Sequence, residues 1–173
     1  LIKIQILYTY YTQTLNRETT NATMSEVNTM SYFERVLEAE GMVYEGEKKN
    51  GKRHGKGKIT YLNGSVYDGE WKDDMRHGFG TETRDGKVIY KGKWKNNMRE
   101  GEGTVYYTDC GVEVWYKGMW KEGMRHGKGE SICAGKVVYN GEWRCGDKHG
   151  YGKMTYPNGD VCECKWERGV RIK

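Results

Sequence analysis

The chain has 173 residues, with 25 glycines, 14 tyrosines and 6 tryptophans against a single proline. That is the length of one domain but not the composition of one built around an aliphatic core. A formal charge of +5, from 29 basic and 24 acidic residues, is too balanced to imply a polyanionic partner by its sum alone. No stretch approaches the roughly 20 apolar residues of a membrane-spanning helix, so any membrane contact is expected to be peripheral.

In chain order, residues 1–30 read as a disordered or upstream segment, in which the first methionine is Met24 and the opening LIKIQILYTYYTQTL lacks the small-residue cleavage site of a signal peptide. Residues 31–41 read as a short capping helix: Ser31-Tyr32-Phe33-Glu34 is a capping box, Phe33, Val36 and Leu37 have helical spacing, and Gly41 ends the run. From residue 42 to 173 the chain repeats itself about five and a half times.

The repeat opens on Tyr44, Tyr67, Tyr90, Tyr116 and Tyr139, each followed two residues later by Gly, with a spacing of 23 except where an insertion at Gly111–Trp115 stretches one interval to 26. Four residues after the tyrosine comes Trp71, Trp94, Trp120 or Trp143, and Lys48 stands at that place in the first repeat. Each unit then carries a His-Gly or Glu-Gly pair and a second glycine two residues on. Tyr, Gly and Trp at alternate positions lie on one face of a strand, and the G-x-G lies on one face of the next. The residues between them predict a tight turn, hence an antiparallel β-hairpin. With Trp placed opposite the Gly of His-Gly, the glycines of a hairpin oppose each other. Glu45 and Glu47 then face Lys58 and Lys56, Lys93 faces Glu102, and Lys117 faces Glu130. Aromatic rings crossing strand glycines cover backbone that glycine leaves bare. No single repeat can bury enough to fold alone, so stability is expected from stacked neighbours.

The phrases YEGEKKNGKRHGKGKITYLNG and YNGEWRCGDKHGYGKMTYPNG resemble the MORN (membrane occupation and recognition nexus) repeat. The resemblance covers about residues 44–169, with Lys48, Glu100, Arg84, Cys133, Cys162 and Cys164 as departures from its pattern. It implies an all-β fold, an elongated single-layer antiparallel sheet of tandem hairpins. The implied function is a non-catalytic scaffold for protein–protein interaction at membrane or cytoskeletal structures. The alternatives are a peripheral module for anionic lipid such as phosphoinositide, or an accessory region like those of lipid kinases or a histone methyltransferase, where catalysis belongs to another domain.

Two candidate surfaces follow. One is the aromatic face of Tyr67, Trp71, Tyr90, Trp94, Tyr116, Trp120, Tyr139 and Trp143, which a single-layer sheet would leave open to a protein partner or to a second copy. The other is a basic rim beside the turns, made of Lys49, Lys72, Lys95, Lys121 and Arg144 and then Arg53, Arg76, Arg99, Arg125 and Lys148, able to meet an anionic membrane surface. Nucleic acid is disfavoured, because a regular duplex offers no match to a twisted rim. The four histidines lie on different hairpins about 10 Å apart, too far to share one zinc, and read as turn-stabilising. Cys162 and Cys164 share one side of a strand without a second pair nearby. GKRHGKGK lacks the spacing and the helix of a phosphate loop. No catalytic residues, metal or cofactor are assigned. Five cysteines without a CxxC pair suit a reducing compartment, and the expected location is cytoplasmic.

Overall fold

The computed structural model describes residues 41–109 and 111–172. The chain divides after Val43 into two units, and all but the first residue of the β-sheet lies in the second. The capping helix expected over 31–41 lies outside the described residues, apart from Gly41.

Among the described residues the structure is entirely β. Its strands are β1 (Val43–Lys49), β2 (Lys52–Thr60), β3 (Val66–Lys72), β4 (Met75–Arg84), β5 (Lys87–Lys95), β6 (Met98–Asp109), β7 (Val112–Lys121), β8 (Met124–Cys133), β9 (Lys136–Arg144), β10 (Asp147–Thr155), β11 (Val161–Glu167) and β12 (Val170–Arg171). They form one open sheet in sequence order, the arrangement tandem hairpins must give when every connection is short. The turn inside each repeat is only two residues long. In the second repeat Asp73 and Asp74, and in the third Asn96 and Asn97, both take positive φ, between 49° and 67°. Such turns follow the right-handed twist of their strands, which is why Asn, Asp and Gly collect there.

The register agrees with the sequence reading in one respect and corrects it in another. Glycine does oppose glycine within hairpins, as in Gly69 with Gly80 and Gly92 with Gly103. Trp, however, does not face the His-Gly glycine of its own repeat. In the second hairpin the ladder shifts after Gly69, so that Glu70 pairs with His77 and Trp71 with Arg76. Trp71 instead faces Gly55 of the preceding repeat, as Trp94 faces Gly78 and Trp143 faces Gly127. Lys117 does face Glu130, but Lys93 falls in a shifted stretch and Glu102 pairs with Met119.

The cause of the shift is local. Gly78 adopts φ 55°, in the left-handed region, and with Phe79 it is left out of the ladder toward β3 while pairing normally with β5. Backbone groups freed by this bulge are then bonded by side chains. The Phe79 N–H donates to Glu70 Oε1 at 2.7 Å, and Tyr67 Oη donates to the Glu70 carbonyl at 2.9 Å. Tyr44 with Glu47, and Tyr139 with Glu142, make the same pair of bonds in the first and fifth repeats. In these three repeats the opening tyrosine and the fourth-position glutamate therefore satisfy the bulge, while Lys93 and Met119 hold that position in the other two.

Candidate functional site

Because every second residue of a strand faces the same way, the sheet presents one aromatic face and one charged face. The aromatic face is the core. Tyr67, Tyr90, Tyr116 and Tyr139 are fully buried, and Trp71, Trp94, Trp120 and Trp143 are at most 6% exposed. The expectation that these eight rings stand open on a single-layer sheet is thus corrected. They bury one another, each tryptophan set edge-on between the tyrosine of its own repeat and that of the repeat before. Trp94, for example, lies 5.0 Å from Tyr90 and 5.4 Å from Tyr67, and Tyr139 ends the row 5.6 Å from Trp166. Edge-to-face contact suits the ring quadrupoles. The indole N–H groups of Trp71, Trp94, Trp120 and Trp143 are also bonded, Trp71 donating to the Gly57 carbonyl at 2.9 Å and Trp143 to that of Gly129 at 3.0 Å, whereas that of Trp166 has no partner among the described residues. Burial pushes the hydroxyls of Tyr116 and Tyr139 up to about 12 and raises Tyr67 and Tyr90 as well.

The ten basic residues separate into two rows with different work. Arg53, Arg76, Arg99, Arg125 and Lys148 are half-buried and lie over the rings. The Arg76 guanidinium is 4.1 Å from the Trp94 ring centre, that of Arg125 is 4.3 Å from Trp143, and Lys148 Nζ is 4.8 Å from Trp166. Burial and the neighbouring Arg125 charge lower the pKa of Lys148. The arginines also tie repeats together. The Arg76 side chain donates to the Asn97 carbonyl at 3.1 Å and that of Arg125 to Gly146, while the Asn97 and Gly146 N–H groups return to the carbonyls of Arg76 and Arg125. Arg53 is held by Asp74 at 3.0 Å, and Arg76 and Arg99 share Glu82 at 3.8 and 3.3 Å. These five cations are a lid on the core, not a free rim. The remaining five, Lys49, Lys72, Lys95, Lys121 and Arg144, are exposed along the turn edge. Asp73 and Glu122 in these turns and Asp147 directly after one stand exposed and offset part of that row's field.

This shared arrangement of tyrosine, paired glycines, tryptophan and stacked arginine recurs along the array, with Lys48 in place of the tryptophan in the first repeat and Lys148 in place of the arginine in the fifth. A family model for the MORN repeat matches residues 44–66, 67–87, 90–109, 116–135 and 139–161. The chain belongs to the MORN-repeat family. No curated protein matches the chain. The MORN family is generally a non-catalytic repeat module that mediates protein or membrane interactions.

Elsewhere the four histidines occupy strands beside the bulges rather than the turns, and His54 Nδ1 lies 3.5 Å from Asp73 Oδ1. Among the described residues no cluster of metal-ligating side chains is found. What sequence reasoning missed is a groove on the opposite, charged face. There Lys91, Lys117 and Lys128 and the carboxylates of Glu102 and Glu130 flank the bare backbone of Gly92, Gly103, Gly118 and Gly129, forming an open groove of about 740 Å³ between Phe79 and Asn140. Phe79 is 49% exposed and Met119 40% exposed. The paired glycines were legible as a signal, but only as the floor for rings, not as the floor of a groove on the other side.

Proposed function

We propose that the array is a non-catalytic scaffold that holds a segment of a protein partner along the charged face of its sheet. The observation that carries the reading is the glycine-floored groove. The rings are committed to the molecule's own core, so the side chains left to recognise a partner are Lys91, Lys117 and Lys128, Glu102 and Glu130, with Phe79 and Met119 as apolar contacts. Alternating charge of both signs favours a polypeptide of mixed charge over a uniformly anionic surface, because like charges juxtaposed across an interface are costly.

The exposed row Lys49, Lys72, Lys95, Lys121 and Arg144 supports a second reading, weak attachment to anionic lipid. At about 1 kcal/mol for each basic residue near such a surface the row could bind, but the acidic turn residues beside it oppose that binding. Both readings suit a cytoplasmic protein at a membrane or cytoskeletal structure.

Lysine-directed cross-linking in extract of the native cell, followed by peptide mapping, separates them. The scaffold reading expects partner peptides on Lys91, Lys117 and Lys128, and their loss from a chain carrying Lys117→Glu and Lys128→Glu. Cross-links confined to Lys72, Lys95 and Lys121, together with salt-sensitive flotation on phosphatidylserine vesicles, would favour the lipid reading instead.

A further inference from the structure

The last repeat replaces the opening tyrosine by Cys162 and the following glycine by Cys164. The structure brings these two sulfurs together, with the α-carbons 5.5 Å apart, a separation that a disulfide spans. Elsewhere in the array this could not happen. A Cβ at the corresponding Gly69 would lie 2.5 Å from Gly80 Cα and 2.7 Å from Tyr67 Oη, so both the facing glycine and the tyrosine exclude a side chain there. On β11 the tyrosine is gone, Cys164 pairs with Gly152 on its β10 side, and the described pairing with β12 reaches only Trp166 and Glu167. The two replacements depend on each other: removing the ring makes the room that the second sulfur occupies.

Their surroundings differ. Cys164 is 3% exposed and packs in the aromatic core, whereas Cys162 is half-buried. Arg171 Nη1 lies 3.8 Å from Cys162 Sγ, placing a positive charge beside the more accessible sulfur, the setting that favours a reactive thiolate. The other described cysteines, Cys133 and Cys145, are unpaired.

We propose that Cys162 and Cys164 form a reversible thiol–disulfide site that reacts with a small-molecule disulfide. The Cys162 thiolate attacks one sulfur of the small disulfide, forming a mixed disulfide and releasing one thiolate. The Cys164 thiolate then attacks Cys162 Sγ, closes the protein disulfide and expels the second. Two electrons pass from the two protein thiols to the small disulfide, whose two thiolates take up the two protons. Arg171 acts as a positioning residue, holding the attacking thiolate.

The test equilibrates the full chain in mixtures of reduced and oxidised glutathione, alkylates the remaining thiols, and reads the tryptic peptide Met154–Lys165, which contains both cysteines. Both thiols are expected to disappear together in one two-electron transition and to return with dithiothreitol. Cys164→Ser should trap glutathione on Cys162, and Cys162→Ser should leave Cys164 without adduct. Arg171→Gln should slow the first step several-fold, with Arg171→Lys restoring most of the rate, and circular dichroism shows whether each variant is folded. Thiols that stay reduced throughout, oxidise independently, pair with Cys133, Cys145 or a second chain, or come bound to a metal in the isolated protein would each overturn the proposal.

Discussion

Trp94→Ala is the substitution whose cost follows most directly from the structure. The indole is 4% exposed, lies between Tyr67 and Tyr90, donates to the Gly80 carbonyl at 3.3 Å and is covered by Arg76. Removing a ring of roughly 150–250 Å² at about 25 cal/mol per Å² forfeits about 4–6 kcal/mol, and truncation of buried tryptophan in other cores costs about 3–5 kcal/mol. We therefore expect a loss of about 4 kcal/mol. Trp94→Phe should recover part of this, because edge contacts to both tyrosines survive while the indole hydrogen bond does not. Urea unfolding followed by circular dichroism gives the comparison. The loss should appear as a large fall in the midpoint, since each repeat leans on its neighbours and a gap between β4 and β5 weakens the junction of two repeats. A cost under about 1 kcal/mol, the range of a surface substitution, would refute the burial and with it the argument that the rings form the core.

Other outcomes follow from the same packing. Gly103→Ala should cost at least about 1–3 kcal/mol by the same assay, because its Cβ would meet the ring of Tyr90, 2.6 Å from Cζ. Arg76→Glu should destabilise while Lys72→Glu should stay within about 0.5 kcal/mol of the parent chain, since only Arg76 lies on the rings. Glu70→Ala should cost about 1 kcal/mol by freeing the Phe79 N–H, with Glu70→Gln retaining most of the bond. Raising the pH should unfold the array steeply. The unfolded tyrosines ionise near their ordinary value of 10.0, whereas burial holds Tyr116 and Tyr139 protonated to about 12, so their contribution is complete below pH 10 and is lost as pH climbs toward 12. Phenolate absorbance and circular dichroism recorded together should then change in step for the buried tyrosines.

Much of the fold was legible because the repeat is regular. The interval from Tyr44 to Tyr67 to Tyr90, the alternation of Tyr, Gly and Trp, and the glycine pairs gave hairpins, strand order and the two faces. The bulge was not legible from period-two alternation, because a strand glycine at φ 55° looks in sequence like any other. A clue was present in Glu47, placed nine residues before Lys56, but reading it as an ion-pair partner for Lys56 hid its bond to that residue's backbone N–H. Missing the bulge also misplaced the arginines. The shift brings Arg76 opposite Trp71 and sets its guanidinium over the neighbouring Trp94, so residues that count as rim charges in the sequence become a cover for the core. Once Arg76, Arg99 and Arg125 cover the rings, the sheet no longer needs a partner to protect them. The interaction surface we propose therefore lies on the other face.

Tryptophan accessibility is the sharpest test of a core made of rings. Trp71, Trp94, Trp120, Trp143 and Trp166 are at most 7% exposed, and Trp115 beside the inserted turn is half-buried. A Trp115→Phe chain should therefore show blue-shifted emission that acrylamide barely quenches under native conditions and quenches freely in urea. Ready quenching of the native Trp115→Phe chain would place the rings at the surface and contradict an aromatic core.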